Sequence, residues 1–450
     1  MATGWVWFGV ELAVVTASRL ATAQQAPTQP DTPPPKAQAE AATTPAFPTT
    51  VAPPSAAAPA AKVSFTVTPY GLITTAAAYL LGNSSNNPDL PEWAVAGPST
   101  FQYTARETRF GIRGSWVTPP SQFNVRKVDG LIEADFFGGF VGQGLGYVFP
   151  FPRLRIATVT AEWCSVRLSF GQDWAVLAPL NPATAFHTAV AGFTTSGNLW
   201  ARIPQLRLDG IVEFGGEPAH HTWRFIWAGA LVASVQADAI SAQDSVVATV
   251  RTPEGGERSL APAGEARIAL GRDLFGKSLE IGISGHLGNR NIPFATGSTR
   301  QFNGAIAADV TLPLPGRLSL EGEAYWGTGL DAFFGGISQG IAHTTDASGA
   351  ITSVSNSIAD AGGWAQVSWA AVDWLTLYAG GGVDKPKRAD LVAATAPTNR
   401  TLNEAVYGEL SVELARGLLF WIEYDFMHTE FQAAPTIQTH VLSLTGQLTF

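Results

Sequence analysis

The feature that most restricts this chain is alternation. From about residue 62 onward, apolar and polar side chains exchange at nearly every position within short segments, and a period of two is what a strand with one apolar and one wet face produces. In residues 205–214 one parity carries Leu206, Leu208, Val212 and Phe214, and the other carries Gln205, Arg207, Asp209 and Glu213. Leu279, Ile281, Ile283 and Leu287 alternate in the same way with Ser278, Glu280, Ser284 and His286, and Phe420, Ile422, Tyr424 and Phe426 with Trp421, Glu423 and Asp425. A helix would instead repeat its apolar residues every three or four positions. The segments run to about ten residues, the length that a tilted strand needs to cross a bilayer. The expected fold class is therefore all-β: a transmembrane antiparallel β-barrel of about sixteen strands.

Alternation alone also suits a water-soluble sandwich, and three further features favour the barrel. The chain ends Leu442-Ser443-Leu444-Thr445-Gly446-Gln447-Leu448-Thr449-Phe450, an amphipathic strand closing on an aromatic residue, similar to the terminal recognition strand of bacterial outer-membrane barrels. Connections alternate in length, as short periplasmic turns and long external loops require: short ones at 164–165, 271–277, 313–316, 372–374 and 415–417, long ones at 80–100, 138–152, 175–199, 234–262, 288–300, 328–361 and 385–401. Trp116, Trp163, Trp223, Trp227, Trp326 and Trp369 fall near expected strand ends, where interfacial aromatic girdles sit.

Other classes are excluded by what the chain lacks. No stretch after the N-terminus approaches the roughly 20 apolar residues of a spanning helix. A net charge of -9 with no run of Lys or Arg argues against a nucleic-acid partner. The single Cys164 has no internal disulfide partner. The seven histidines show no H-x-x-x-H spacing, no G-x-S-x-G elbow occurs, and His220-His221 sits in an expected turn, so neither catalysis nor a metal or other cofactor is expected.

Three segments follow from composition. Residues 1–23 read as a signal peptide: an apolar core from Trp5 to Val15, then Ala21-Thr22-Ala23 as a cleavage site. Residues 24–62 are Pro/Ala-rich, with too few large apolar side chains to build a core, and read as an extended periplasmic linker. Residues 63–450 are the barrel domain.

Several stretches resemble the DcaP-like porins, outer-membrane channels associated with dicarboxylate and other anionic solutes. They are Val67-Thr68-Pro69-Tyr70-Gly71, Thr108-Arg109-Phe110-Gly111-Ile112-Arg113, Glu133-Ala134-Asp135-Phe136-Phe137-Gly138-Gly139, Pro152-Arg153-Leu154-Arg155, and Gly171-Gln172-Asp173-Trp174 with Pro179-Leu180-Asn181-Pro182. The likeness is strongest over residues 65–215. It implies a sixteen-stranded barrel, a homotrimer, and the outer membrane of a Gram-negative-type bacterium. Many such porins carry an N-terminal coiled coil, whereas this chain has the Pro-rich segment and no heptads there.

Parity assigns the lumen. Early strands bring Arg109, Arg113, Arg167, Arg207, Arg224 and Arg267 inward with Glu107, Asp129, Glu133, Asp135 and Asp173, while later strands bring mostly carboxylates, among them Glu280, Asp309, Glu321, Glu323, Asp384, Glu409, Glu413, Glu423 and Asp425. Opposite walls would then set a transverse field. Arg109, Arg113, Arg167, Arg207 and Arg224, positioned by Glu133 and Asp173, are the candidate pore-lining residues, because a guanidinium holds carboxylates through a planar fork and keeps its charge. Alternatively, these arginines only neutralise neighbouring acids. Arg153 and Arg155 share parity with Ala157, Val159 and Ala161, which are placed toward lipid; because an arginine at mid-bilayer costs about 2–4 kcal/mol, both must lie above the membrane band or beyond a bulge. Residues 175–199 are expected either to fold inward and narrow the channel or to form an ordinary surface or trimer-contact loop. The function expected is passive diffusion of small hydrophilic solutes favouring anions such as dicarboxylates. The partners would be those anions, outer-membrane lipids and further copies of the chain. The alternative is an adhesin or structural barrel whose external loops bind a partner.

Overall fold

The computed structural model describes residues 64–87, 89–118, 123–138, 150–215, 222–234, 253–294, 296–346, 351–392 and 396–450. The expected signal peptide and linker, His220-His221, and most of the connections 138–152 and 234–262 lie outside them. Sixteen strands cross the membrane: β1 Ser64–Leu81, β2 Thr100–Thr104 continuing as Arg109–Val117, β3 Lys127–Asp135, β4 Arg153–Glu162, β5 Val166–Trp174, β6 Arg202–Phe214, β7 Trp223–Val232 and β8 Ala263–Leu274; then β9 Lys277–Phe294, β10 Gly297–Leu314, β11 Leu318–Thr328, β12 Ala359–Val372, β13 Leu375–Pro386, β14 Arg400–Ala415, β15 Leu418–Phe431 and β16 Ile437–Thr449. Each pairs antiparallel with its neighbours in sequence. The sheet closes because β1 also pairs with β16, from Leu72 opposite Thr449 to Leu81 opposite His440. Closure leaves no unpaired edge for lipid to meet.

The faces sort as their parity requires. Ile281, Ile283, Leu287, Trp326, Val367, Ile422 and Leu444 are exposed on the outer face. Apolar surface on this scale would be untenable in water, so it is the lipid-facing band. About half of the buried residues are instead polar or charged, Arg267, Asp309, Glu323, Asp360, Asp384 and Glu409 among them. At Arg416-Gly417 the chain reverses in two residues, and Gly417 takes a φ of 77°, a region that glycine enters without steric cost.

One expectation needs correction. Residues 288–300 do not form a long loop: β9 and β10 pair as far as Phe294 opposite Gly297, because Asn289, Asn291 and Arg290 continue the alternation out of the apolar band as a polar hairpin. Of the two placements open to Arg153 and Arg155, the structure takes the bulge. The pairing of β3 with β4 shifts register between Glu133 and Ala134, which oppose Ile156 and Leu154. Arg155 is thus the extra residue of a bulge, and its side chain turns inward and is only 2% exposed.

A second irregularity shapes the lumen. Ala76 and Leu72 of β1 oppose Thr104 and Arg109 of β2, so three residues of β1 face four of β2. The surplus forms a turn, with the Thr108 N–H donating to the Ala105 carbonyl at 3.1 Å, and buries Arg106 and Glu107.

Candidate functional site

Residues 175–201 leave β5, fold into the barrel and return to β6. The loop is almost wholly buried. Its backbone N–H groups are met in succession by acceptors on the wall: Val176 and Leu177 donate to Glu265 Oε2 at 2.6 and 3.2 Å, Ala178 to Ser284 Oγ at 3.1 Å, Leu180 to Glu323 Oε1 at 2.7 Å and Ala183 to Gln366 Oε1 at 2.8 Å. Thr184 Oγ1 then donates to Glu423 Oε2 at 2.6 Å, the Ala185 N–H to Glu409 Oε2 at 2.9 Å and the Thr188 N–H to Glu107 Oε2 at 3.0 Å. These acceptors belong to β8, β9, β11, β12, β15, β14 and the break in β2, so the loop travels around the inner wall. Such hydrogen bonds contribute about 0.5–1.5 kcal/mol each to a neutral acceptor and about 1.5–3 to a charged one, and less where the lumen admits water. The acids that parity placed on the later strands thus act as fasteners for an otherwise unpaired backbone.

At Thr188 and Ala189 the polarity reverses. Loop carbonyls now accept from guanidiniums: Arg109 Nη2 to the Thr188 oxygen at 2.6 Å, and Arg153 Nη2, Arg202 Nη2 and Arg155 Nη1 to the Ala189 oxygen at 2.7, 3.0 and 3.3 Å. The loop then reaches toward the opposite wall. Phe193 packs against Tyr407 and Trp364, with ring centroids 5.2 and 6.3 Å apart, and Asn403 Nδ2 donates to the Thr195 oxygen at 3.0 Å and Ser196 Oγ at 2.7 Å. Close approach there depends on glycine, since a Cβ at Gly382 would lie 2.1 Å from the Ser196 oxygen. Residues 329–346 brace the same layer. Gly336 and Ile337 donate backbone N–H groups to Asp360 Oδ2 and Asp384 Oδ2 at 2.6 and 3.0 Å, and Phe334 stacks on Trp200 at 4.7 Å.

The residues expected to line the pore divide into three groups. Arg109 and Glu133 meet, Nε to Oε1 at 3.7 Å, and Glu133 is also held by Arg155 Nε at 2.7 Å and the Tyr70 hydroxyl at 3.0 Å. Arg167 pairs with Asp209, which Arg207 approaches to 3.6 Å. Asp173 shares their face of β5, with its carboxylate accepting from the Trp174 N–H at 2.8 Å. Arg224 is apart from both groups, at the short-turn end, paired with Asp273 at 2.7 Å. Arg113 follows Arg109 on the same face and is exposed, without an ion pair to any described residue. Parity missed Arg106, Arg153, Arg155 and Arg202. The first three depend on the two irregularities: the bulge in β4 is signalled by arginines at lipid-facing parity, whereas the surplus in β2 has no residue type to betray it. Arg202 lay within view, flanked by Trp174 and Trp200, over whose rings its guanidinium sits at 4.9 and 5.1 Å. His187, deep in the loop, has its imidazole held below the usual histidine range by burial, opposed by the Glu423 carboxylate 4.0 Å away.

No protein-family model matches this sequence, and no curated protein matches it. Solved structures do share the fold. The outer membrane channel DcaP of Acinetobacter baumannii aligns over 86% of this chain and 97% of its own, at 15% identity and a TM-score of 0.64. The anion-selective porin from Comamonas acidovorans covers 86% and 100%, at 12% identity and 0.52, and Salmonella typhi OmpF, in complex with daunomycin, 85% and 97%, at 10% identity and 0.50. The fold is thus that of the outer-membrane porins, DcaP in particular.

Proposed function

We propose that this chain is an outer-membrane porin that lets small hydrophilic solutes diffuse passively and favours anions such as dicarboxylates, without catalysis. The observation that carries the channel reading is a closed barrel with an apolar outside and a charged inside, narrowed by a loop laid along its inner wall. The preference for anions rests on the wall made by β2, β3, β4 and β6. Arg109, Arg153, Arg155 and Arg202 converge there on two loop carbonyls, against Glu133, Asp135 and the loop-bound Glu107. Guanidiniums outnumber carboxylates locally, and Arg113 adds an unpaired one on the same face. Permeation samples the local potential between low-dielectric walls rather than the chain's net charge. In this reading residues 1–23 direct export, residues 24–62 are a periplasmic spacer, and the working unit is a homotrimer, as in the porins that the sequence resembles. Reversal potentials in a salt gradient test it. Wild type should select anions and show dicarboxylate-induced current blocks. Single Arg→Ala changes at 109, 113, 167, 207 and 224 should each lower the anion preference, least at 224. Cation selectivity in wild type, or blocks that survive every substitution, would leave only an unspecific polar pore.

A further inference from the structure

Where the inward loop passes β15, three side chains of metal-binding type come together. His187 of the loop and Glu423 and Asp425 of β15 each offer one ligand atom, and these atoms lie within 4.8 Å of one another. The two acids are two residues apart on a strand and so share its lumen face. The three border a cavity of about 30 Å³, more than the roughly 10–15 Å³ that one water needs. The Glu423 side chain is 1% exposed, its Oε1 has no hydrogen-bond partner, and neither has the buried Asp425 Oδ2. Buried polar atoms are rarely left so. No Lys or Arg among the described residues forms an ion pair with Glu423 or Asp425, nor with the neighbouring Glu409, leaving His187 as the nearby basic group.

We propose that His187, Glu423 and Asp425 bind a divalent transition-metal cation, of which Zn²⁺ and Mn²⁺ are the type, and that the ion clips the inward loop to β15. The donor set selects the class. One imidazole nitrogen with two carboxylates suits these ions, whereas Ca²⁺ and Mg²⁺ take oxygen ligands. Tetrahedral ligands about 2 Å from a common ion sit roughly 3.3 Å apart, so small rotations close the present spacing. The second oxygen of Glu423 already accepts from Thr184 Oγ1 at 2.6 Å, the kind of outer contact that orients a ligand.

The test is calorimetric titration of the full chain, purified in detergent and stripped with EDTA, using Zn²⁺ and, for comparison, Ca²⁺. One Zn²⁺ per chain should bind saturably, with Ca²⁺ at least about tenfold weaker. His187→Ala and Asp425→Asn should each weaken Zn²⁺ binding by roughly tenfold or more, and His343→Ala, in the outer hairpin, should not. Absence of saturable Zn²⁺ binding in wild type, or equal binding by both variants, overturns the proposal. If neither variant folds, wild type alone decides. Zn²⁺ should raise the temperature at which the barrel loses its folded mobility on gels, and an unchanged temperature counts against the site. Binding requires no conduction, so this outcome and the selectivity of the pore are judged separately.

Discussion

Arg155 is held by Glu133 at 2.7 Å and Asp135 at 2.9 Å and is itself almost fully enclosed. Removing one member of such a set strands the others, at a cost of about 3–5 kcal/mol. Arg155→Ala should therefore lower the unfolding temperature of the barrel clearly, while Arg113→Ala, at an exposed and unpaired position, should leave it within the error of a heat-modifiability assay. Equal effects would mean that the network contributes nothing to stability. The contrast also marks how far single residues are legible. Arg109, Glu133, Arg167, Asp173, Arg207 and Arg113 are found on the lumen face by counting in twos. Arg155 is misplaced by the count alone, because one surplus residue reverses every later side chain on the strand; the signal for the surplus is the cost of two arginines at lipid-facing parity.

Among the elements, the strands were readable and the loops only in part. Strands declare themselves because lipid on one side and water on the other impose a chemical choice at each position. The 288–300 hairpin escapes this rule: beyond the membrane no lipid imposes that choice, and the polar run Asn289-Arg290-Asn291 does not distinguish a strand from a loop, although Arg290 and Ile292 are buried on its inner face. The 175–199 segment was a candidate for folding inward, but its partners, from Glu265 to Glu423, lie 88 to 239 residues away in sequence and follow no local pattern. Its docking depends on close backbone contact at Gly382, 2.1 Å from where a Cβ would meet the Ser196 oxygen. Gly382→Val should force the loop tip away from the wall and change single-channel conductance, most simply upward and with more current noise. Wild-type conductance in that variant would show that the tip does not limit flow.

For the molecule as a whole, the decisive contact joins Phe450 to β1. Gly71 and Phe450 exchange backbone hydrogen bonds, both at 3.1 Å, and the Phe450 ring lies 2.8 Å from where a Cβ on Gly71 would stand. Deleting Phe450 removes the final pair of rungs from a seam that has ten further paired positions, Leu72 to Leu81 against Thr449 to His440. The finished barrel should therefore lose little thermal stability, while delivery to the outer membrane falls sharply. Cell fractionation separates the two effects, and normal outer-membrane levels of the truncated chain would dismiss a role for the terminal aromatic. The route of the inward loop adds a constraint in time. Thr184 is made 239 residues before the Glu423 that holds it, and its other anchors on β8 to β15 also emerge after it. When the loop is made, its partners around Glu107, Arg109, Arg153 and Arg155 already precede it. The fastenings on β8 to β15 are therefore fitted last, and a barrel stalled short of its final strands would lack both the seam and those fastenings. Leakiness to solutes would then report incomplete assembly.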